Sequence, residues 1–189
     1  MRRARVLFAA VLVLLCAAGG TLAAQEAAGG PRLFFGPRLG ASGVVILPDA
    51  FNATMQALYP DPSKQYFPAF TEMGVQATQL VPLGESKSYL SFQEMLLLGA
   101  LDQSMPLLGA NATIAYRTAS GFEVGFGPYF TTVAPGGALQ LTASVVYAVG
   151  WTIAAKGFSV PITLMFVPLP SYVNPRISLL FGFLFEAME

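Results

Sequence analysis

The sequence predicts an all-β fold, an eight-stranded antiparallel transmembrane β-barrel over residues 32–185, preceded by a cleavable signal peptide over residues 1–24. Beyond residue 24, segments of ten to fifteen residues alternate large apolar with small or polar side chains, and a period of two is typical of β-strands. The composition is 54% hydrophobic and only 11% charged, whereas soluble domains carry about 25% charged residues. An even number of strands with one apolar face is typical of a barrel surrounded by lipid.

The first residues have the three parts of a secretory signal. A positive region precedes an apolar stretch of ten residues, 6–15, and small residues follow, with candidate cleavage sites at 21–23 and 22–24. The positive region contains Arg2, Arg3 and Arg5. The alternative is an uncleaved membrane anchor, but the apolar run 6–18 is shorter than the ~20 residues that a helical span needs. Cleavage is therefore the expected outcome.

Strands one to four are predicted from alternation and from the breakers between segments. Their expected ranges are 32–47, 66–81, 88–100 and 107–118. Strand three is the least regular, because Leu96, Leu97 and Leu98 are apolar on both faces and Glu94 shares a face with apolar neighbours; a bulge would shift its register. Between strands one and two, residues 48–65 contain several prolines, which exclude a regular strand there.

Strands five to eight follow the same alternation. Their expected ranges are 121–133, 138–153, 158–167 and 176–185. The apolar rows of strands six and eight are expected to face lipid, and we assign to them Val145, Tyr147, Phe181, Phe183 and Phe185. Short turns join strands two to three, four to five and six to seven, so these turns and both termini are expected on the periplasmic side.

Four prolines inside predicted strands count against a closed barrel, because a proline has no N–H to donate to a neighbouring strand. They are Pro37, Pro68, Pro128 and Pro161, and bulges or strand ends would have to accommodate them. Two other folds remain as alternatives. Residues 124–155 carry no charge and would suit a bundle of transmembrane helices, and a soluble periplasmic sandwich or lipocalin-like barrel would also alternate.

With these features the chain resembles the small eight-stranded outer-membrane β-barrels of bacteria, of the OmpA transmembrane-domain, OmpX and OmpW type. The resemblance covers about residues 32–185 and is one of architecture, not of a motif. It implies a bacterial outer-membrane location, contact with outer-membrane lipid, a monomer, and folding by the barrel-assembly machinery. That machinery reads a final strand with alternating aromatics, which Phe181, Phe183 and Phe185 resemble. The tail 186–189 departs from the family, which usually ends on the aromatic residue.

The chemistry that the sequence lacks restricts its function. The chain has no histidine, and its single cysteine, Cys16, lies in the predicted signal after Leu15, which is not the small residue that a lipoprotein signal needs. Ser–His and Cys–His nucleophiles and the usual zinc sites are thus excluded from the mature chain. We expect no enzyme, catalytic residue, metal or cofactor. Removing the signal leaves seven basic against ten acidic residues, a net charge of −3, without a basic patch for nucleic acid.

The candidate site is a set of charges on the polar faces of the strands. It contains Arg38, Glu72, Arg117 and Glu123, with Glu94 as a further candidate. Arg117 and Glu123 flank the hairpin at 118–121 and could lie opposite each other near one rim. Eight strands enclose a space just wide enough for side chains, which favours a buried ion-pair network over a gated polar lumen. The aromatic residues expected near the membrane interfaces are Tyr66, Phe67, Tyr89, Tyr129, Trp151 and Tyr172.

Three functions remain open at this point. The first is a structural or surface-interaction barrel, with 48–65 as the contact element. The second is transport of small or hydrophobic molecules through the barrel. The third is a soluble lipocalin-like carrier.

Overall fold

The computed structural model describes residues 30–133, 140–155, 157–168 and 175–187. The predicted signal peptide, the first two residues of the sixth predicted strand, and Tyr172 lie outside the described residues. The end of the tail, residues 188 and 189, also lies outside them.

The described residues form nine strands, one α-helix and one 3₁₀ turn at Leu101–Gln103. The strands are β1 Arg32–Val44, β2 Ala69–Pro82, β3 Tyr89–Gly99, β4 Leu107–Arg117, β5 Phe122–Val133, β6 Gln140–Ala155, β7 Phe158–Val167, β8 Arg176–Gly182 and β9 Leu184–Glu186. The helix, α1, is Pro48–Leu58. The predicted strands are therefore present, with ends that shift by a few residues.

The strands close into an antiparallel barrel. Each of β1 to β7 pairs with the next strand along the chain, including β1 with β2 across the α1 connection, and β8 returns to β1. β9 pairs with β1 and β7 as β8 does, so β8 and β9 form one interrupted strand. The barrel thus has eight strand positions around its wall, which we call staves, with β8 and β9 forming the last one. The predicted fold class is confirmed.

The sequence predicted that bulges or strand ends accommodate the prolines: Pro68 lies at a strand end, and the other three interrupt the hydrogen-bond ladders without bulges. Pro37 lies opposite Phe183, the residue that separates β8 from β9, and the register on either side of it is the same. Pro128 and Pro161 likewise lie where the β4–β5 and β7–β8 pairings are interrupted, while Pro68 precedes β2. Each of these three prolines therefore leaves one ladder hydrogen bond unmade with one neighbouring strand, and no bulge is needed to accommodate it.

The two faces of the barrel differ in polarity. On β5, the exposed fractions of Val124 and Phe126 are 52% and 62%, whereas Glu123 beside Val124 is 6% exposed. The same alternation holds on the other staves, so the exterior is apolar and the interior carries the polar side chains. This is the reverse of a soluble barrel, in which the apolar face is enclosed. Among the described residues, no helix has the length and apolar character needed to cross a bilayer.

The helix α1 was not predicted. Pro48 stands at its first turn, where a missing N–H has no cost, and Asp49 complements the helix dipole. Phe51 and Met55 lie four residues apart and form its buried side. The remaining prolines of this connection, Pro60 and Pro62, follow the end of the helix. The prediction that no strand forms here was correct. The prolines were taken as signs of an irregular segment, whereas they only mark the two ends of a helix.

The two ends of the barrel differ in the connections that they carry. The loop end carries the connections 45–68 and 100–106. The turn end carries the short connections 83–88 and 118–121, and both Arg32 and Glu186 lie there.

Candidate functional site

Five charged side chains of the described residues lie inside the barrel. They are Arg38, Glu72, Arg117, Glu123 and Arg176, and all are buried. Because strand neighbours alternate between faces, each occupies the inward row of its strand. The sequence predicted the first four as lumen residues. Arg176 was not in that set, although it occupies the polar row of the eighth strand and could have been found by the same argument.

The first cluster lies towards the turn end and is centred on Glu123. Arg117 pairs directly with Glu123 across the β4–β5 hairpin, and its Nε donates to Oε1 of that carboxylate. The amide of Gln93 donates to the same oxygen at 3.2 Å, and the Thr152 hydroxyl donates to the other oxygen at 3.2 Å. Glu123 therefore accepts bonds from three neighbouring strands, which ties β3, β4 and β6 to β5 through one buried carboxylate.

Arg38 is held without a carboxylate among the described residues. Its guanidinium donates to the Thr163 hydroxyl at 2.8 Å and to the carbonyls of Pro161 and Leu180 at 3.2 and 3.3 Å. The Pro161 carbonyl faces the interrupted part of the β7–β8 ladder, which leaves it open to this donor. Neutral oxygens from two strands thus bind a fully buried arginine. The lumen then contains three arginines and two glutamates, a net charge of +1 for the described residues.

The second cluster lies towards the loop end and is centred on Arg176. Its Nη1 lies 3.5 Å from Oε1 of Glu72, and its Nη2 donates to the hydroxyl of Tyr129. The guanidinium also stands over two rings, 4.9 Å from the centroid of Tyr129 and 6.0 Å from that of Phe70. Aromatic faces stabilise a cation when water is excluded. The partner of Glu72 is therefore an arginine that two rings also stabilise, Arg176, and not Arg38 or Arg117.

Three of the aromatic residues assigned to interfaces were assigned wrongly. Tyr89 lies on the inward row of β3 and packs against the inward cluster of Phe34, Leu80 and Leu184. Tyr129 is fully buried in the lumen, and Tyr66 is buried beneath α1. Phe67 and Trp151 are 51% and 48% exposed, which is the exposure expected of that assignment.

A layer of apolar side chains fills the lumen around these charges. Its members are fully or almost fully buried inward residues of β3, β5, β6, β7 and β8: Met95, Leu97, Tyr129, Val146, Met165, Val167 and Leu180. Apolar packing of this kind excludes water and ions from the section of the barrel that it occupies.

The loop end is covered by α1. Phe51 and Met55 pack on inward residues at the ends of three strands, Val44, Phe70 and Leu107. The void that remains beneath the helix is only about 10 Å³, at the lower limit for a single water molecule. The helix therefore packs closely over the β1, β2 and β4 side of this mouth.

The turn end is open. A recess of about 410 Å³ lies there, and Arg117, Thr152 and Ser159 are among the residues that line it. At its rim, the Arg32 guanidinium holds the carboxylate of Glu186 with two bonds of 2.6 and 2.8 Å. The first and last staves are thereby joined at the rim, and the recess ends blindly against the filled lumen.

Glu94 does not belong to the lumen. Since β3 pairs with β2 and β4 in unbroken register, Glu94 falls on the outer row with Leu90 and Leu96, whereas Gln93 and Met95 face inward. The expected bulge is absent from β3, and the inward assignment of Glu94 was wrong for that reason.

The residues assigned to the lipid-facing row lie on the exterior. Their exposed fractions range from 41% to 54% for Val145, Tyr147, Phe181, Phe183 and Phe185. These large apolar side chains would be unfavourable in water, so the exterior matches a hydrocarbon surrounding.

A closed antiparallel barrel of eight staves, apolar outside and polar inside, defines the class of protein. It is a small β-barrel of the outer-membrane type. The soluble lipocalin-like alternative is inconsistent with this exterior.

Comparisons with known proteins add a likeness of fold. No protein-family model and no curated protein matches the chain. Ail, the attachment invasion locus protein of Yersinia pestis, has a crystal structure that matches with 9% identity and a TM-score of 0.28, covering 83% of this chain and 97% of Ail. The structure of Ail with the heparin analogue sucrose octasulfate matches with 8% identity and a TM-score of 0.30, over the same shares of both chains. Similarity this low assigns no residue role or ligand to this chain.

Proposed function

We propose that this protein is a closed, non-enzymatic outer-membrane barrel whose role is contact at the cell surface, through the connection that carries α1. The observation that carries the proposal is the packing of α1 on the loop end. Phe51 and Met55 dock α1 on the β1, β2 and β4 side of the mouth, and the opposite side of the helix faces solvent. In barrels of this class the longer loops face the outside of the cell.

The filled lumen supports a surface role over transport. A solute would have to displace α1, then pass the Arg176 cluster, and then cross the apolar layer around Met165 and Leu180. Open aqueous channels belong to barrels with more strands. The recess at the turn end provides no continuous path, because it is closed by that same filled section.

The α1 connection is ordered by its own hydrogen bonds. The Gln56 amide donates to the carbonyls of Asp61 and Lys64 at 2.9 and 2.5 Å, and Asn52 accepts the backbone N–H of Tyr66 at 2.8 Å. Gln103, from the neighbouring loop, donates to the carbonyls of Phe67 and Ala69 at 3.0 and 2.7 Å. A loop that is already ordered loses less conformational entropy on binding a partner, as a contact element requires.

The charge of the loop end indicates what kind of partner it suits. The loop-end connections contain Asp49, Asp61 and Asp102 against Lys64, a net charge of −2. The Ser63 hydroxyl and backbone N–H both donate to Asp61 at 2.6 and 3.1 Å, which lowers the pKa of that carboxyl and keeps it ionised. An acidic surface favours a cationic partner over a polyanion.

Binding of charged probes tests the contact proposal. We expect an oligolysine peptide to bind the wild-type barrel in nanodiscs more tightly than a sulfated oligosaccharide, and the difference to shrink in the variant Asp49→Asn/Asp102→Asn. Equal binding of both probes, or an unchanged difference in the variant, would argue against the loop end as an acidic contact surface.

Conductance tests the transport alternative directly. We expect the purified protein in planar bilayers to give no discrete channel openings, because both the Arg176–Glu72 cluster and the apolar layer fill the lumen. Regular openings in the wild type would replace the contact proposal with transport.

The outer aromatic row on β8 and β9 supports the barrel-assembly machinery as the folding partner. Phe181, Phe183 and Phe185 all lie on the lipid-facing side of this last stave, which is the arrangement that a final-strand signal requires.

A further inference from the structure

Among the described residues, one carboxylate lies in the middle of the apolar exterior. Glu94 stands five residues from each end of β3, an 11-residue strand, and a strand of about 9–11 residues is long enough to cross the hydrocarbon core. It points outward and makes no hydrogen bond or ion pair with any residue that the structure describes. The other carboxylates of the strands, Glu72, Glu123 and Glu186, each have an arginine partner.

The residues paired with Glu94 on the adjacent strands are small. Its direct neighbours in the adjacent strands are Ala77 on β2 and Ala112 on β4. Elsewhere the outer rows carry large residues, such as Phe126 and Tyr147, at more than half exposure. Small residues on a membrane-facing surface allow another backbone to approach closely.

One outward amide lies next to this carboxylate. Gln79 occupies the outer row of β2, two residues further towards the turn end than Ala77, and it stands opposite Phe92. Its side chain also makes no hydrogen bond within the described residues. The barrel thus presents a hydrogen-bond donor and an acceptor on one outer face, and neither has a partner among the described residues.

We propose that the β2–β3–β4 face is the interface of a homodimer, in which Glu94 and Gln79 of one copy face those of the other. Lipid tails offer no donor to a carboxylate, and polar groups at this depth are stable mainly when paired with one another. A two-fold axis that passes between Glu94 and Gln79 places the Gln79 amide of each copy near the Glu94 carboxylate of the other, so each carboxylate accepts an amide N–H across the interface. This departs from the monomer that the family resemblance implies.

Site-specific cross-linking tests this interface. The chain has no cysteine beyond Cys16 in the predicted signal, so Ala112→Cys introduces one thiol beside Glu94. Leu164→Cys on β7, an outer residue on the far side of the barrel, is the matched control. In liposomes under mild oxidant, we expect several-fold more disulfide-linked dimer for Ala112→Cys than for Leu164→Cys, at protein-to-lipid ratios low enough to make random encounters rare.

The role of Glu94 is tested in the same background. In Ala112→Cys we expect Glu94→Leu to lower dimer formation to the level of the Leu164→Cys control, and Glu94→Gln to retain most of it, because an amide still donates and accepts. Heat-modifiable gel migration monitors folding of every variant. Equal cross-linking at positions 112 and 164, or full cross-linking in folded Glu94→Leu, would overturn the homodimer and leave Glu94 facing lipid alone.

Discussion

At the scale of single residues, the Arg117–Glu123 pair makes the most specific energetic prediction. Both side chains are over 90% buried, so Arg117→Ala leaves a carboxylate without its cation inside the barrel. We expect a loss of about 3–5 kcal/mol in the free energy of unfolding, as is usual when one partner of a buried pair is removed. Removal of Arg117 and Glu123 together should cost less than the sum of the single variants. Urea unfolding in liposomes measures all three.

The exposed pair at the turn end is the control for that cycle. Arg32 and Glu186 are joined by two short bonds, but their side chains are 49% and 44% exposed. We therefore expect Arg32→Ala to cost only about 0–1 kcal/mol. If Arg117→Ala cost no more than Arg32→Ala, the Arg117–Glu123 pair would be solvated and the recess would extend into the lumen.

Sequence reasoning found the row that each charge occupies but not its partner. Alternation alone assigns Arg38, Glu72, Arg117 and Glu123 to the interior, and hairpin spacing pairs Arg117 with Glu123. The partners of Arg38 and Glu72 depend on how the strands are staggered around the closed barrel. That stagger brings Arg38 to the carbonyl of Pro161 and brings Glu72 to Arg176, and no local pattern in the sequence encodes it.

At the scale of elements, the packing of α1 on the strand ends can be tested by mutation. Phe51 is 2% exposed and lies between the helix and the inward ends of the strands. Truncation of a buried phenylalanine costs about 3–5 kcal/mol. Here we expect this loss to weaken the packing of α1 on the barrel and to leave the stability of the barrel itself unchanged. Phe51→Ala should make residues 48–66 susceptible to protease while the barrel keeps its heat-modifiable migration.

Exposed Ala57 provides the comparison for Phe51. Ala57→Ser should leave the protease resistance of the connection unchanged. Equal resistance in Phe51→Ala would mean that the hydrogen bonds of Gln56 and Gln103, and not the apolar contacts, hold α1 in place.

The close approach of two strands at Gly127 gives a second prediction at this scale. A Cβ at this inward position would lie 1.9 Å from the carbonyl oxygen of Ala112 on β4. Backbone atoms cannot give way easily, so Gly127→Ala should cost more than the about 1–3 kcal/mol of ordinary overpacking. Gly43→Ala is the matched control, because a Cβ there meets nothing within 4 Å. Refolding yield into detergent micelles separates them, and equal yields would show that β4 and β5 can move apart.

The elements themselves show where sequence patterns are sufficient. Period-two alternation located the strands because lipid and lumen select opposite side chains on every stave. Alternation did not predict α1. The two apolar residues of its buried side, Phe51 and Met55, are a weak helical signal in a segment with several prolines. The position of Glu94 was also predicted wrongly, because a charged residue in an apolar row suggested a bulge. The unbroken pairing of β3 with β2 and β4 instead keeps Glu94 in the outward row.

At the scale of the whole molecule, the barrel exchanges the usual positions of polar and apolar residues. Val145 is 41% exposed on the outer row of β6, and Ser144 beside it occupies the inner row. In a bilayer, Val145→Arg should cost up to about 2–4 kcal/mol if the residue lies at the midplane, and less near an interface. Val145→Leu should be close to neutral. Urea unfolding in liposomes measures both, and a tolerated arginine would place Val145 at the membrane surface.

The helix α1 lies above the filled lumen, and this arrangement predicts the result of removing α1 alone. Replacing residues 46–67 with a short Gly–Ser turn removes α1 but leaves the Arg176–Glu72 cluster and the apolar layer around Met95, Leu97, Met165 and Leu180. Ions do not cross a packed apolar layer, because they would lose their hydration without replacement. We therefore expect this variant to fold, to expose Phe70 and Leu107 to labelling reagents, and to remain silent in planar bilayers. Steady openings in the variant but not in the wild type would show instead that α1 is a gate, and that the lumen beneath it admits water once the helix is gone.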